Sequence, residues 1–291
     1  MEWVNAVIQG TLLGGLYALL ATGLSLAFGV MRLVNLAHGD LNILAAYLAL
    51  VVVTATGANP LVGLVVVVPV MMVIGFLLQR VLLNFALGGG VLPPVLVTFG
   101  IAVVVQNVLL DVFSADSQGL DAGPLENASV TLTDQISVGF FPLLTLLVAV
   151  GVLLGLQFVI SRTQLGRALR ATSDDTEAAR IVGIDHRRLY GIAMAISLGT
   201  VAVAGVFLGI RTTFGPSDGP QRLIFAFESV IIGGLGSLWG TLVGGVALGV
   251  AQAVGNQVNP AYQALAGHLL FLAVLAFRPS GLFARRTARQ V

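Results

Sequence analysis

The sequence predicts an all-α fold: a polytopic membrane helix bundle of about eight or nine transmembrane helices, with broken or re-entrant segments and an inverted repeat. Three observations carry this. Of 291 residues, 57% are hydrophobic and 9% charged, with a mean hydropathy of +1.00; a water-soluble domain carries roughly 25% charged residues. The apolar residues lie in runs long enough to cross a ~30 Å hydrocarbon core, which takes about 20 helical residues. The arginines are segregated along the chain by loop. Together these describe a single transmembrane domain over residues 1–291.

The spans follow in order. Val7–Val30 is the first, ending at Arg32. Leu41–Thr54 follows, then Asn59-Pro60 as a breaker, then Leu61–Leu78 up to Arg80. Gly88-Gly89-Gly90 and Pro93-Pro94 mark a loop. Val95–Phe113, Pro142–Ile160 and Leu189–Ile210 are the next three candidates. Phe225–Val258 is too long for one span and is interrupted by glycines, so it reads as a re-entrant pair or two short spans. Tyr262–Phe277 is the last, closed by Arg278-Pro279. Met1-Glu2-Trp3 lacks the basic start of a signal peptide, so the first apolar run is expected to remain as a helix.

Arginine placement sets the orientation. Residues 161–188 carry Arg162, Arg167, Arg170, Arg180, Arg187 and Arg188, and the tail carries Arg285, Arg286 and Arg289. Residues 114–138 hold only acidic charges: Asp116, Asp121, Glu126 and Asp134. The acidic loop 114–138 should face outward and the basic loop 161–188 the cytoplasm, with the N-terminus outside and the C-terminus inside. Arg211 and Arg222 dissent from this assignment. Val130, Leu132, Ile136 and Val138 alternate with polar residues, the pattern of a hairpin in the outer loop.

Composition also excludes chemistry. All fourteen basic residues are arginine, so no ordinary P-loop lysine is available to hold nucleotide phosphates. The absence of cysteine removes thiolate metal sites and cysteine catalysis. No metal or cofactor is expected on this chain, and no nucleic acid partner. Glycines four apart, at Gly10/Gly14, Gly151/Gly155, Gly205/Gly209 and Gly236/Gly240/Gly244, read as helix–helix contacts in lipid.

Three polar segments stand out. Asn35, His38, Gly39 and Asp40 sit between two apolar runs. They form either a turn with an Asp N-cap or a helix broken inside the membrane, where exposed amides and carbonyls meet a solute. Glu228 lies in an apolar run ahead of Gly233, Gly234, Gly236 and Ser237. It sits either at the outer interface or within the membrane as a functional carboxylate. Aligning Arg32-Leu-Val with Arg222-Leu-Ile sets His38 opposite Glu228, as an inverted repeat would. Asp40, Glu228 and Asp111 are the carboxylates available for ion coupling in a stand-alone transporter or channel, and none has an evident partner. Ser237 with His38 or His268 would be needed for an intramembrane enzyme, and no orienting acid accompanies them.

The third segment is the basic loop. Ser173-Asp-Asp-Thr-Glu177 starts a short amphipathic surface helix through Ala178 and Ala179, and Gly183 ends it. Glu177-Ala178-Ala179 followed by Gly183 resembles the EAA loop of permeases in ATP-binding-cassette importers, without its later hydrophobic-proline part. Almost the whole chain is similar to the branched-chain amino acid permease family, and to its smaller permease subunit. The matching stretches include Gly15-Leu-Tyr17-Ala18, Asn35-Leu-Ala-His38-Gly39-Asp40, Gln106-Asn107, Leu165-Gly166-Arg167, Gly233-Gly-Leu-Gly-Ser237 and Pro279-Ser-Gly281-Leu282.

The resemblance implies a multi-subunit importer of the bacterial inner membrane. A periplasmic binding protein would deliver the amino acid, a second homologous permease subunit would complete the pore, and two ATPase subunits would consume ATP and Mg. From the polar breaks themselves, the substrate path is expected at Asn35, His38, Gly39, Asp40, Glu228, Gly233, Gly234, Gly236 and Ser237. ATPase coupling would fall to Arg167, Arg170, Glu177, Ala178, Ala179 and Gly183. Urea or short amides are the alternative cargo among similar proteins.

Overall fold

The computed structural model describes residues 2–87, 90, 92–133 and 136–283. Gly88 and Gly89, Asp134, and the tail arginines Arg285, Arg286 and Arg289 lie outside the described residues. The chain is a bundle of helices: α1 (Glu2–Met31), α2 (His38–Thr56), α3 (Pro60–Ala86), α4 (Leu92–Phe113), α5 (Phe140–Arg162), α6 (Gln164–Asp174), α7 (Thr176–Ile181), α8 (His186–Arg211), α9 (Gly219–Gly233), α10 (Leu238–Val258) and α11 (Gln263–Phe277). Strands β1 (Ser129–Thr133) and β2 (Ile136–Gly139) form one antiparallel hairpin, pairing Val130 with Val138.

Among the described residues, eight helical segments are long and apolar enough to cross a membrane, α11 counted with the helical turn Pro260–Tyr262 that leads into it, so the chain is a multi-pass membrane protein. The run Phe225–Val258 separates into α9 and α10. At 15 residues, α9 is roughly 22 Å long and falls short of the hydrocarbon thickness. The basic loop also differs from expectation: it holds two helices, not one. Thr163 caps α6 by accepting from Gly166 N, and Asp175 caps α7 by accepting from Glu177 N and Ala178 N. Ser173 and Asp174 therefore end α6 rather than begin a helix, because Asp175 is the residue in extended conformation. Gly183, at φ +85°, stops α7.

Two helices form the centre. In α1 and α8, 83% of the apolar window is buried, against 17% in α4 and 6% in α11. They cross at Gly23, which faces Ser197 and Val201 of α8. Small residues let α1 lie flush on α10: a Cβ at Gly10 would stand 2.6 Å from Val250 Cα. Lipid supplies no hydrophobic drive for this packing, so close approach and dispersion hold the pair. Gly151 and Gly155 of α5 do not follow suit. They are exposed and a Cβ on either would meet nothing within 4 Å, because that face of α5 points away from the bundle.

The two ends of the bundle are chemically distinct. At one end, Gln9 of α1 donates to Ser137 O of the hairpin (2.8 Å), and Leu120 N donates to Gly209 O (2.9 Å). The acidic loop is thus pinned to the helices rather than free above them. At the other end, Ser173 Oγ of α6 donates to Gly29 O of α1 (2.8 Å).

Candidate functional site

Between α1 and α2 the chain doubles back into the bundle. His38, the first residue of α2, has its Nε2 at 2.7 Å from Leu20 O, within the buried length of α1 and about three turns before its end. Leu20 lies about 16 Å from Met31 at 1.5 Å per residue. Residues 32–35 carry the chain back along α1, and Asn35–His38 close a turn, His38 N donating to Asn35 O (3.3 Å), before α2 begins. Arg32 makes the reversal at φ +51°. The start of α2 therefore sits deep in the bundle, with its positive dipole end at mid-depth.

This break is held by side chains from its surroundings. Asn35 Oδ1 accepts from Ala37 N (3.0 Å), and Leu36 N donates to Thr98 Oγ1 of α4 (3.2 Å). Asp40 does not cap the helix: Ala37 is the N-cap and makes no side-chain cap bond. Instead Asp40 Oδ1 accepts from Gln106 Nε2 of α4 (2.8 Å). Asn35, His38 and Asp40 are 3%, 1% and 2% exposed, and His38 Nδ1 has no partner. The carboxylate missing a partner in the sequence thus has one, from a helix far along the chain.

The α9 segment meets the break head-on. A Cβ at Gly39 would lie 2.8 Å from Leu223 N and would collide with Gly219 O. The starts of α2 and α9 therefore touch backbone to backbone. Glu228, 3% exposed, meets His268 Nδ1 of α11 at 2.5 Å through Oε1, while its Oε2 has no partner. The His268 side chain is 42% exposed. Phe225 stacks on His268 (ring centroids 6.2 Å apart) and packs at a tilt against Tyr17 (5.2 Å). Tyr17 Oη donates to Gln252 Oε1 of α10 (2.6 Å).

A tight turn joins α9 to α10 near the far end of α1. Gly234 and Gly236 take φ values of +106° and +78°, which side-chain-bearing residues rarely adopt. Gly236 packs on Gly29, and Ser237 Oγ accepts from Gly240 N (3.1 Å) to cap α10. Leu282 N and Phe283 N donate to Ile232 O and Gly233 O, so the segment after α11 satisfies the end of α9. Ser237, His38 and His268 each have other partners. They are not assembled as nucleophile and base.

The expected path residues thus fall into three places. Asn35, His38, Gly39 and Asp40 lie together at mid-depth. Glu228 pairs separately with His268. Gly233, Gly234, Gly236 and Ser237 form the turn at the α6–α7 end. Sequence reading missed Gly219 and Thr98 as parts of the break. Arg32 and Arg222 do not correspond: Arg32 precedes α2, whereas Arg222 lies inside α9, so His38 and Glu228 are not equivalent. α1 and α8 run in opposite directions, and each is followed by a shorter helix, α2 or α9.

At the α6–α7 end, Arg167, Glu177, Ala178 and Gly183 are exposed, Arg170 is half-buried and Ala179 is buried. Ile181 and Val182 are 87% and 75% exposed, an apolar tip beside the charges. A cavity of about 660 Å³ opens between α1, α5, α6 and the Gly236–Trp239 segment.

The matches with known proteins agree with this architecture. Residues 6–275 match the family model described as branched-chain amino acid transport system / permease component. The chain is 28% identical to the high-affinity branched-chain amino acid transport system permease protein BraD of Pseudomonas aeruginosa, over 100% of this chain and 98% of that one. It is 26% identical to the permease protein LivH of Escherichia coli, again over 100% and 98%. LivM, also named as a permease protein of such a system in Escherichia coli, is 30% identical over 133 residues, 43% of this chain and 30% of its own. With a polytopic bundle, a polar break at its centre and a family model spanning nearly all of it, the chain belongs to the family of branched-chain amino acid transport system permease components.

Proposed function

We propose that the chain is the translocation subunit of an ATP-binding-cassette importer for branched-chain or related amino acids. Its membership in the permease family is the observation that carries this reading. A second, related permease would complete the pore, as the likeness to both LivH and LivM supports. Two ATPase subunits would consume ATP and Mg, and a periplasmic binding protein would deliver the solute. Arginine placement supports a cytoplasmic α6–α7 end and an outward hairpin end in the bacterial inner membrane.

The polar break gives the pathway its chemistry. Asn35, His38, Gly39 and Asp40 present a helix start at mid-depth, whose positive dipole end suits a carboxylate. The exposed face of α4 carries Gly100, Asn107 and Asp111 along one stripe. A carboxylate and an amide facing lipid are costly, which favours this stripe as pore wall. Glu228 and the Gly233–Ser237 turn would move with α9 as the pore alternates. Pumping requires the solute to bind the two states with different affinity.

The coupling contact would be α6–α7, through Arg167, Arg170, Glu177, Ala178, Ala179 and Gly183. Glu177→Arg or Gly183→Pro should lower solute-stimulated ATPase activity about tenfold, with membrane insertion intact. Unchanged stimulation in both variants would remove this assignment. One observation favours a second reading, a stand-alone secondary transporter: buried Glu228, paired with the half-exposed His268, has the makings of a proton-coupling site. Transport by the chain in proteoliposomes without any ATPase would support it. A panel of loaded binding proteins separates amino acids from urea or short amides as cargo.

A further inference from the structure

The cavity at the α6–α7 end has the chemistry of a ligand site. Its volume of about 660 Å³ lies within the range of roughly 300–1,000 Å³ typical of small-molecule pockets. One wall is apolar, with Leu26 of α1, Ile160 of α5 and Trp239 of α10. The polar groups are few and specific. Ser25 lies 1% exposed on the buried length of α1, and its Oγ has no hydrogen-bond partner among the described residues. Gln157 is a lone amide on an otherwise apolar stretch of α5.

Arg170 and Asp174 stand one turn apart on α6, where neighbouring side chains are about 6 Å apart. Neither joins an ion pair among the described residues. A guanidinium and a carboxylate at this spacing, beside an apolar wall, complement a zwitterion with an aliphatic tail. An α-amino acid has that form.

We propose that this cavity binds a free aliphatic amino acid from the cytoplasm, so that accumulated product slows further import. The inference rests on the importer reading, which puts this end of the bundle where product collects. The mechanism follows from the walls. Arg170 and Asp174 belong to α6, while Ser25 belongs to α1 and Trp239 to the first turn of α10. Ser173 already ties α6 to Gly29 of α1. A ligand held between these walls adds to that tie and stabilises one position of α6. Any ligand that prefers one of two positions shifts the equilibrium toward it.

The test uses the whole transporter, with its ATPases and binding protein, in proteoliposomes loaded with ATP and graded leucine inside. Millimolar internal leucine is expected to slow the initial rate of uptake by about fivefold or more. Leucine methyl ester and 4-methylpentanoate, each lacking one of the two charges, should inhibit far less. Ser25→Val and Gln157→Leu alter the cavity away from the ATPase contact. Both should keep uptake into leucine-free vesicles and lose the inhibition. Uninhibited wild-type transport would overturn the proposal, as would equal inhibition of both variants. So would native mass spectrometry showing an aminophospholipid retained by the wild type and lost from Ser25→Val, since the cavity would then be a lipid seat. Failure of uptake even into leucine-free vesicles would count against the importer reading instead, which keeps the two failures distinct.

Discussion

The pairs α1–α2 and α8–α9 solve one problem in opposite directions. Each is a long buried helix followed by a shorter helix that starts inside the bundle, and the two short helices meet where Gly39 touches Gly219. They differ in how they hold a buried carboxylate. Asp40 is met by Gln106, a neutral amide that is itself half-buried. Glu228 is met by His268, an ionisable ring with 42% of its side chain exposed. The first pair is a fixed strut for the helix break. The second lies at an edge, where the exposed side of His268 can turn to water or a headgroup.

The largest effect should come where both pairs touch. Gly39→Ala places a methyl against the Gly219 backbone, and overpacking of this kind costs about 3 kcal/mol. Near-complete loss of monodisperse protein on size exclusion in mild detergent is the expected outcome. Wild-type yield and elution would show that α2 and α9 are not in direct contact.

A smaller, graded effect separates the two carboxylates. Asp40→Leu leaves Gln106 without its acceptor and should lower stability by about 2 kcal/mol. Glu228→Leu leaves His268 able to turn to solvent, and should cost about 1 kcal/mol. Thermal melting of both variants in the same detergent measures the order, and a reversed order would break the distinction between strut and edge. The smallest effect is expected at Gly151. Gly151→Leu fills open space beside α5, so the isolated subunit should melt within about 0.5 kcal/mol of wild type.

Composition and periodicity made the bundle legible, since burying so apolar a chain in water is not an option. Glycines at Gly10 and Gly14 were readable because lipid rewards small residues at helix contacts. The same rule misassigned Gly151 and Gly155, because spacing alone does not say which face of a helix is covered. The polar break at Asn35–Asp40 was legible as a break, but its depth was not. That depth depends on His38 reaching Leu20, a contact made by chain reversal rather than by local sequence. Gln106 and His268 as partners were likewise invisible, since each comes from a helix far along the chain. Asp175 rather than Ser173 starts α7 because backbone conformation decided between adjacent capping residues.

The central claim is that this chain moves solute only when another protein drives it through α6–α7. Uptake of labelled leucine into proteoliposomes, with and without the ATPase subunits, tests that most directly. Uptake should require ATP, the ATPases and the binding protein together, and should fall to the level of empty vesicles when the ATPases are omitted. Uptake that persists at the full rate without them would contradict it.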